Sequence, residues 1–132
     1  MSLENVQVIR DVMQGFNDRD ESLIERYDEH VEYRLIGGFA DLAGQSLKGR
    51  EAVLRFAWEL IETFGAEMEV EQVFGVDDRV VLIARTVGAG DGSGVPVIQR
   101  WGQIYSFRGG KIVAVDNYWN ASEALEAVGL SE

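Results

Sequence analysis

The chain has 132 residues, of which 46% are hydrophobic and 27% charged, a composition typical of one globular domain. Its formal net charge of −11 repels phosphate backbones and anionic lipid surfaces, so we expect no nucleic acid and no membrane among its partners. It has no cysteine and one histidine, which excludes thiolate chemistry and leaves no cluster for an ordinary zinc site. We therefore predict a single domain over residues 1–132 with no metal and no cofactor. The lack of cysteine also favours a cytoplasmic location.

The first part of the chain predicts two helices and a strand. Apolar residues at helical spacing indicate a helix that ends at Asn17, and Asp20 can cap a second, short helix. Residues 31–35 alternate apolar and polar side chains, as a half-buried strand does. Residues 36–49 are rich in glycine and are predicted as a loop.

A third helix is expected between Gly49 and Gly65. Its apolar face would consist of Val53, Phe56, Ala57, Leu60, Ile61 and Phe64. The remainder predicts a meander of strands closed by a helix that begins after Asn120 and ends near Gly129. We place these strands at residues 68–74, 79–87, 95–107 and 111–119.

Helices come early in this order and strands late, which favours an α+β fold over alternating βαβ units. We expect one curved, mostly antiparallel sheet wrapped around helices that lie on one of its faces. Such an arrangement leaves an internal pocket between the two layers.

Several motifs spread over nearly the whole chain carry a family resemblance. They are residues 16–20 (FNDRD), 27–33 (YDEHVEY), 48–53 (KGREAV), 108–113 (RGGKIV), 117–119 (NYW) and 123–125 (EAL). With them the chain resembles the nuclear transport factor 2-like superfamily, in its SnoaL-like branch. The resemblance implies a cone-shaped α+β fold around a pocket. It leaves activity open, because the superfamily includes cyclases, isomerases, dehydratases, epoxide hydrolases and non-catalytic binding domains.

The resemblance also indicates what the pocket lacks. Ketosteroid isomerases carry their general base at the position of Tyr33, an oxyanion-holding acid at Gln103 and an oxyanion tyrosine at Val12. None of these functional groups is kept in this sequence. Steroid-type isomerisation by that constellation is therefore not expected.

Two further enzyme types share only part of their sites with this chain. Limonene epoxide hydrolases use an arginine that matches Arg85, but Val87 and Asn117 stand where they carry carboxylates. SnoaL-like cyclases use an acidic residue near Asn117, where this chain has an amide. A β-bulge near Val115 would shift the strand by one residue and turn Asp116 into the pocket instead.

We accordingly name two sets of candidate site residues. The catalytic candidates are Arg85, Asn117, Asp116 and Tyr33, and the ligand-binding candidates are Gln103, Trp101, Trp119, Tyr105 and Phe56. Arg85 could clamp a ligand carboxylate, phenolate or enolate. Alternatively, it could pair with Glu69 or Glu71 across the sheet.

Three functions stay open. The first is an enzyme that isomerises, cyclises, dehydrates or hydrolyses a small hydrophobic substrate, cyclic or carbonyl-containing. The second is a non-catalytic domain that binds a small hydrophobic or anionic organic ligand. The third is an interaction module that uses the outer face of the sheet. We expect a homodimer through an apolar patch on that outer face, formed by Leu82, Ile104, Ile112, Ala114 and Tyr118.

Overall fold

The computed structural model describes residues 2–36, 46–64, 67–88 and 97–130. Its elements in chain order are α1 (Ser2–Asn17), a 3₁₀ helix (Glu21–Arg26), β1 (Tyr27–Ile36), β2 (Ser46–Lys48), α2 (Arg50–Phe64), β3 (Glu67–Val76), β4 (Arg79–Gly88), β5 (Val97–Arg108), β6 (Lys111–Tyr118) and α3 (Ala121–Ala127). Among the described residues, no helix is both long and apolar enough to cross a bilayer. Most of the predicted glycine-rich loop at residues 36–49, namely residues 37–45, lies outside the described residues, as do residues 89–96.

The strands form one sheet in the order β2-β1-β6-β5-β4-β3. All neighbouring strands are antiparallel except β1 and β6, which run parallel. The α+β fold with a mostly antiparallel sheet is thus confirmed. The parallel pair and the short strand β2, which lies within the segment predicted as a loop, were not expected.

The sheet is covered on both faces, not on one as the sequence predicted. Helices α1 and α2 contribute Ile9, Val12, Val53 and Ile61 to the main core, which lies on the inner face. Helix α3 packs on the outer face, where Ala121, Ala124 and Leu125 cluster with Val81 and Ile83 of β4 and Ile104 of β5. Strand β4 is therefore buried on both sides.

Two β-bulges change which side chains share a face. In β3 the pairing with β4 shifts between Val70 and Gln72, so that Val70 contacts the inner core and Phe74 the outer cluster. In β6 the pairing shifts between Ile112 and Ala114, which leaves Val113 as the extra residue. An extra residue of this kind reverses the alternation beyond it.

The apolar outer patch predicted for a homodimer has a different composition in the structure. Ile112 and Leu82 are fully buried in the inner core. Ile104 lies beneath α3 in the outer cluster. The prediction is therefore wrong for Leu82 and Ile112, whereas Ile104 lies on the outer face as predicted but is covered by α3. Dimerisation itself stays a prediction.

Helix α3 approaches the sheet so closely that it requires a glycine in β5. A Cβ atom on Gly102 would lie 2.4 Å from Cβ of Ala124 and 3.2 Å from Cδ1 of Ile83. Atoms cannot approach this closely in a packed interior, so a larger residue must displace α3.

We expect Gly102→Ala to lower the free energy of unfolding by about 1–3 kcal/mol, because it overpacks the contact with Ala124. Urea denaturation followed by circular dichroism would measure this loss. The double variant Gly102→Ala/Ala124→Gly should recover part of the loss. A single variant as stable as the wild type would show that α3 is free to move.

Candidate functional site

A cavity of about 190 Å³ lies between the helices and the inner face of the sheet. Its helical wall consists of apolar residues of α1 and α2: Met13, Phe16, Phe56, Ala57, Leu60 and Ile61. Its sheet wall carries the polar groups, among them Tyr27, Tyr33, Thr86, Gln99, Gln103 and Asn117. The cavity is therefore apolar on one side and neutral but polar on the other.

Most of the candidate site residues border this cavity. They are Tyr33, Phe56, Trp101, Gln103, Asn117 and Trp119. Trp119 is 39% exposed and lies at the rim, whereas Gln103 and Asn117 are 6% and 5% exposed. Their roles toward a ligand stay predictions.

Arg85 does not border the cavity, and its expected place in the pocket is wrong. Arg85 follows the inward-facing Ala84 in β4 and therefore lies on the outer face. Val81 and Ile83 share that face and pack against α3. Its guanidinium donates to Oε2 of Glu69 from Nη2 at 3.0 Å and from Nε at 3.2 Å. Both side chains are almost half exposed, so this is a solvated surface pair with little effect on stability.

Asp116 does not border the cavity either. The bulge in β6 occurs, but it lies at Val113, before Val115, so Val115 and Asn117 face inward and Asp116 faces outward. The Asp116 carboxylate accepts a hydrogen bond from Nε of Arg34 at 2.5 Å. This pairing on the outer face leaves no carboxylate from β6 to act in the cavity.

Tyr105 is fully buried behind the cavity wall and does not border the cavity, contrary to its prediction as a ligand contact. Its hydroxyl donates a hydrogen bond to Oε1 of Gln103. It thus supports a lining residue instead of touching a ligand itself.

A chain of buried hydrogen bonds joins three strands at the inner end of the cavity. Nδ2 of Asn117 donates to the main-chain carbonyl of Arg34 at 2.9 Å. Nε2 of Gln103 donates to Oδ1 of Asn117 at 2.5 Å and to the hydroxyl oxygen of Tyr33 at 3.0 Å. No buried side-chain nitrogen or oxygen among the described residues lacks a partner.

The tyrosine hydroxyls at the inner end of the cavity stay protonated and neutral. Burial raises the pKa of Tyr33, although the hydrogen bond from Gln103 partly offsets this. Burial also raises the pKa of Tyr27 and of Tyr105, and the neighbouring tyrosines raise both further. These hydroxyls can donate or accept hydrogen bonds at neutral pH but cannot act as bases.

A second set of hydrogen bonds lies at the rim of the cavity, and the sequence did not indicate it. Nε1 of Trp101 donates to Oγ1 of Thr86 at 2.7 Å. Nε2 of Gln99 donates to the carbonyl of Trp119 at 2.8 Å. Thr86 and Gln99 face each other across β4 and β5 and hold the tryptophans in place.

Other lining residues were also missed. Tyr27 and Tyr118 also border the cavity, and Tyr118, which was placed in the outer patch, packs against the outer cluster as well. Within the described ranges, no group of three or more His, Asp or Glu residues could hold a metal ion.

The comparisons with known proteins agree with this fold. The SnoaL-like domain family matches residues 9–115, so the chain belongs to that family. No curated protein sequence matches it.

Several solved structures share the architecture. Bal32a, from a soil-derived mobile gene cassette, is 21% identical over 89% of each chain with a TM-score of 0.76. A protein provisionally assigned as a SnoaL-like polyketide cyclase from Jannaschia sp. CCS1 is 21% identical over 89% of this chain and 86% of its own, with a TM-score of 0.74. TerC, co-crystallised with polyporic acid, is 19% identical over 95% and 98%, with a TM-score of 0.71. At these identities the likeness concerns the fold alone.

We expect Gln103→Met to lower the free energy of unfolding by at least about 2 kcal/mol, because it removes the hydrogen-bond partner of the Tyr33 and Tyr105 hydroxyls and of Oδ1 of Asn117. Gln99→Met is the matched control and should cost under about 1 kcal/mol, since the bonds of Gln99 are exposed. Urea denaturation would compare the two. Equal losses would contradict the central place of Gln103.

Proposed function

We propose that this protein binds a small, flat, uncharged organic molecule in the cavity and performs no acid–base chemistry on it. The supporting observation is the lining: among the described residues, none that borders the cavity is charged or titrates near neutral pH. General acid–base catalysis needs a group whose pKa lies near the working pH. Amides do not titrate, and the buried tyrosines stay protonated.

The size and walls of the cavity favour a ligand of one or two rings. An apolar cavity of about 150 Å³ accepts benzene, and this one measures about 190 Å³. Phe56, Trp101 and Trp119 supply the aromatic surface that small-molecule sites commonly use. A shape-matched, mainly apolar ligand is therefore favoured over a highly polar one.

An anionic ligand is disfavoured by the place of Arg85. A buried carboxylate or phenolate needs a positive partner, since leaving it unpaired in an apolar site is costly. No arginine, lysine or histidine borders the cavity among the described residues. The ligand class therefore narrows to neutral molecules.

The enzyme hypothesis remains the competing proposal, because one of the similar structures is provisionally assigned as a polyketide cyclase. It would require an acid or base at the cavity. Recovery of a chemically altered compound after incubation with the protein would favour the enzyme, whereas recovery of the unaltered compound supports binding alone.

We expect single-ring aromatic ligands to raise the thermal unfolding temperature, because a ligand present at a hundredfold excess over its Kd stabilises the folded state by about 2.7 kcal/mol. Ala57→Phe should fill the cavity and weaken binding by at least about tenfold, or about 1.4 kcal/mol. Arg85→Ala is the control and should leave affinity unchanged. Calorimetric titration would measure both, and binding that survives Ala57→Phe would place the ligand elsewhere.

Ligand affinity should be independent of pH between about 6 and 9. The ordinary pKa of tyrosine is about 10, and burial raises the pKa of Tyr33 and Tyr27 above it, so both hydroxyls stay neutral across this range. Affinity should fall only in more alkaline solution. A change in affinity near pH 4 to 7 would reveal a carboxylate or histidine at the site and contradict the proposal.

Two further expectations belong with this proposal. A homodimer through the outer sheet face is to be tested by analytical ultracentrifugation, with a monomer over the whole concentration range as the contrary result. A cytoplasmic location is to be tested by cell fractionation.

A further inference from the structure

The direction of every hydrogen bond at the inner end of the cavity can be derived from one main-chain group. The carbonyl of Arg34 can only accept, so Asn117 must turn Nδ2 toward it, at 2.9 Å. Oδ1 of Asn117 then faces Gln103. Because this oxygen can also only accept, Gln103 must present its Nε2, at 2.5 Å.

The second hydrogen on Nε2 of Gln103 determines what Tyr33 can do. It is donated to the hydroxyl oxygen of Tyr33 at 3.0 Å, so that oxygen serves as an acceptor. The remaining amide atom, Oε1, accepts from Tyr105. The hydroxyl hydrogen of Tyr33 is left over, and no acceptor for it is found within the described parts of the chain.

The position of Tyr33 directs this hydrogen to the cavity. Tyr33 borders the cavity and is only 7% exposed, so bulk water has little access to it. Its ring packs edge-on against Phe56 with the centroids 5.8 Å apart, which restricts its orientation. Tyr27 borders the same space.

We propose, building on the proposed function, that Tyr33 donates a hydrogen bond to a carbonyl-type oxygen of the ligand. The ligand is then an aromatic ketone, aldehyde or quinone. A hydrocarbon of the same shape should bind with lower affinity. A buried donor without an acceptor is unfavourable. A ligand carbonyl satisfies that donor and adds no charge to the apolar cavity.

Acetophenone and α-methylstyrene test this assignment, because they differ mainly in C=O against C=CH₂. Calorimetric titration would give the affinity ratio of ketone to hydrocarbon for each protein. Tyr33→Phe should lower the ratio by about threefold to tenfold, as expected for loss of one hydrogen bond. Arg85→Ala is the control and should leave the ratio unchanged, because Arg85 pairs with Glu69 on the outer face of the sheet and does not border the cavity.

The infrared spectrum of bound acetophenone provides a second readout that needs no variant. In the wild-type protein its carbonyl stretch should lie at a lower frequency than in a dry apolar solvent, and Tyr33→Phe should abolish the shift. An unshifted band in the wild type overturns the inference even if Tyr33→Phe does not fold.

The outcomes separate this inference from the proposed function. Binding of both compounds with the same ratio in wild type and Tyr33→Phe overturns the carbonyl assignment alone and leaves the cavity as a binding site. Failure of both compounds to bind overturns the proposed function and this inference together.

Discussion

The structure depends on the requirement that polar groups removed from water must be paired. Gln103 and Asn117 lie in an otherwise apolar interior, and every polar atom of their side chains has a partner. Those partners belong to β1, β5 and β6, so the same bonds that satisfy the amides also hold three strands at one end of the cavity. A buried network of this kind stabilises one arrangement only when every member is satisfied.

The two faces of the sheet differ in charge: paired arginines lie on the outer face, whereas the described residues that border the cavity on the inner face are uncharged. Arg85 and Arg100 lie directly opposite each other on the outer face. Each is paired with a glutamate of β3, Glu69 or Glu71. Glu71 is the extra residue of the bulge in β3. The guanidinium groups are thus neutralised in contact with solvent, and the cavity on the other face keeps a low polarity.

The sequence predicted most helices and strands but only part of the site. Gln103 and Trp101 were both named as ligand-binding candidates, and both border the cavity. Alternation of side chains along a strand accounts for this pair, because β5 is regular there. It could not orient Arg85, because β4 is apolar on both faces and a strand buried on both sides shows no alternation. For Asp116, a bulge near Val115 was only an alternative, and the sequence does not indicate the bulge at Val113, since this extra residue is as apolar as its neighbours. Glycine and charge patterns carry no information on either point.

The arrangement of the tryptophans has a practical consequence for experiments. Of three tryptophans in the chain, Trp101 and Trp119 border the cavity. Trp58 packs edge-on against Phe16, with ring centroids 5.5 Å apart. The protein therefore contains intrinsic fluorophores in contact with the space that a ligand would fill. Their emission reports occupancy of that space directly, without a dye or a label.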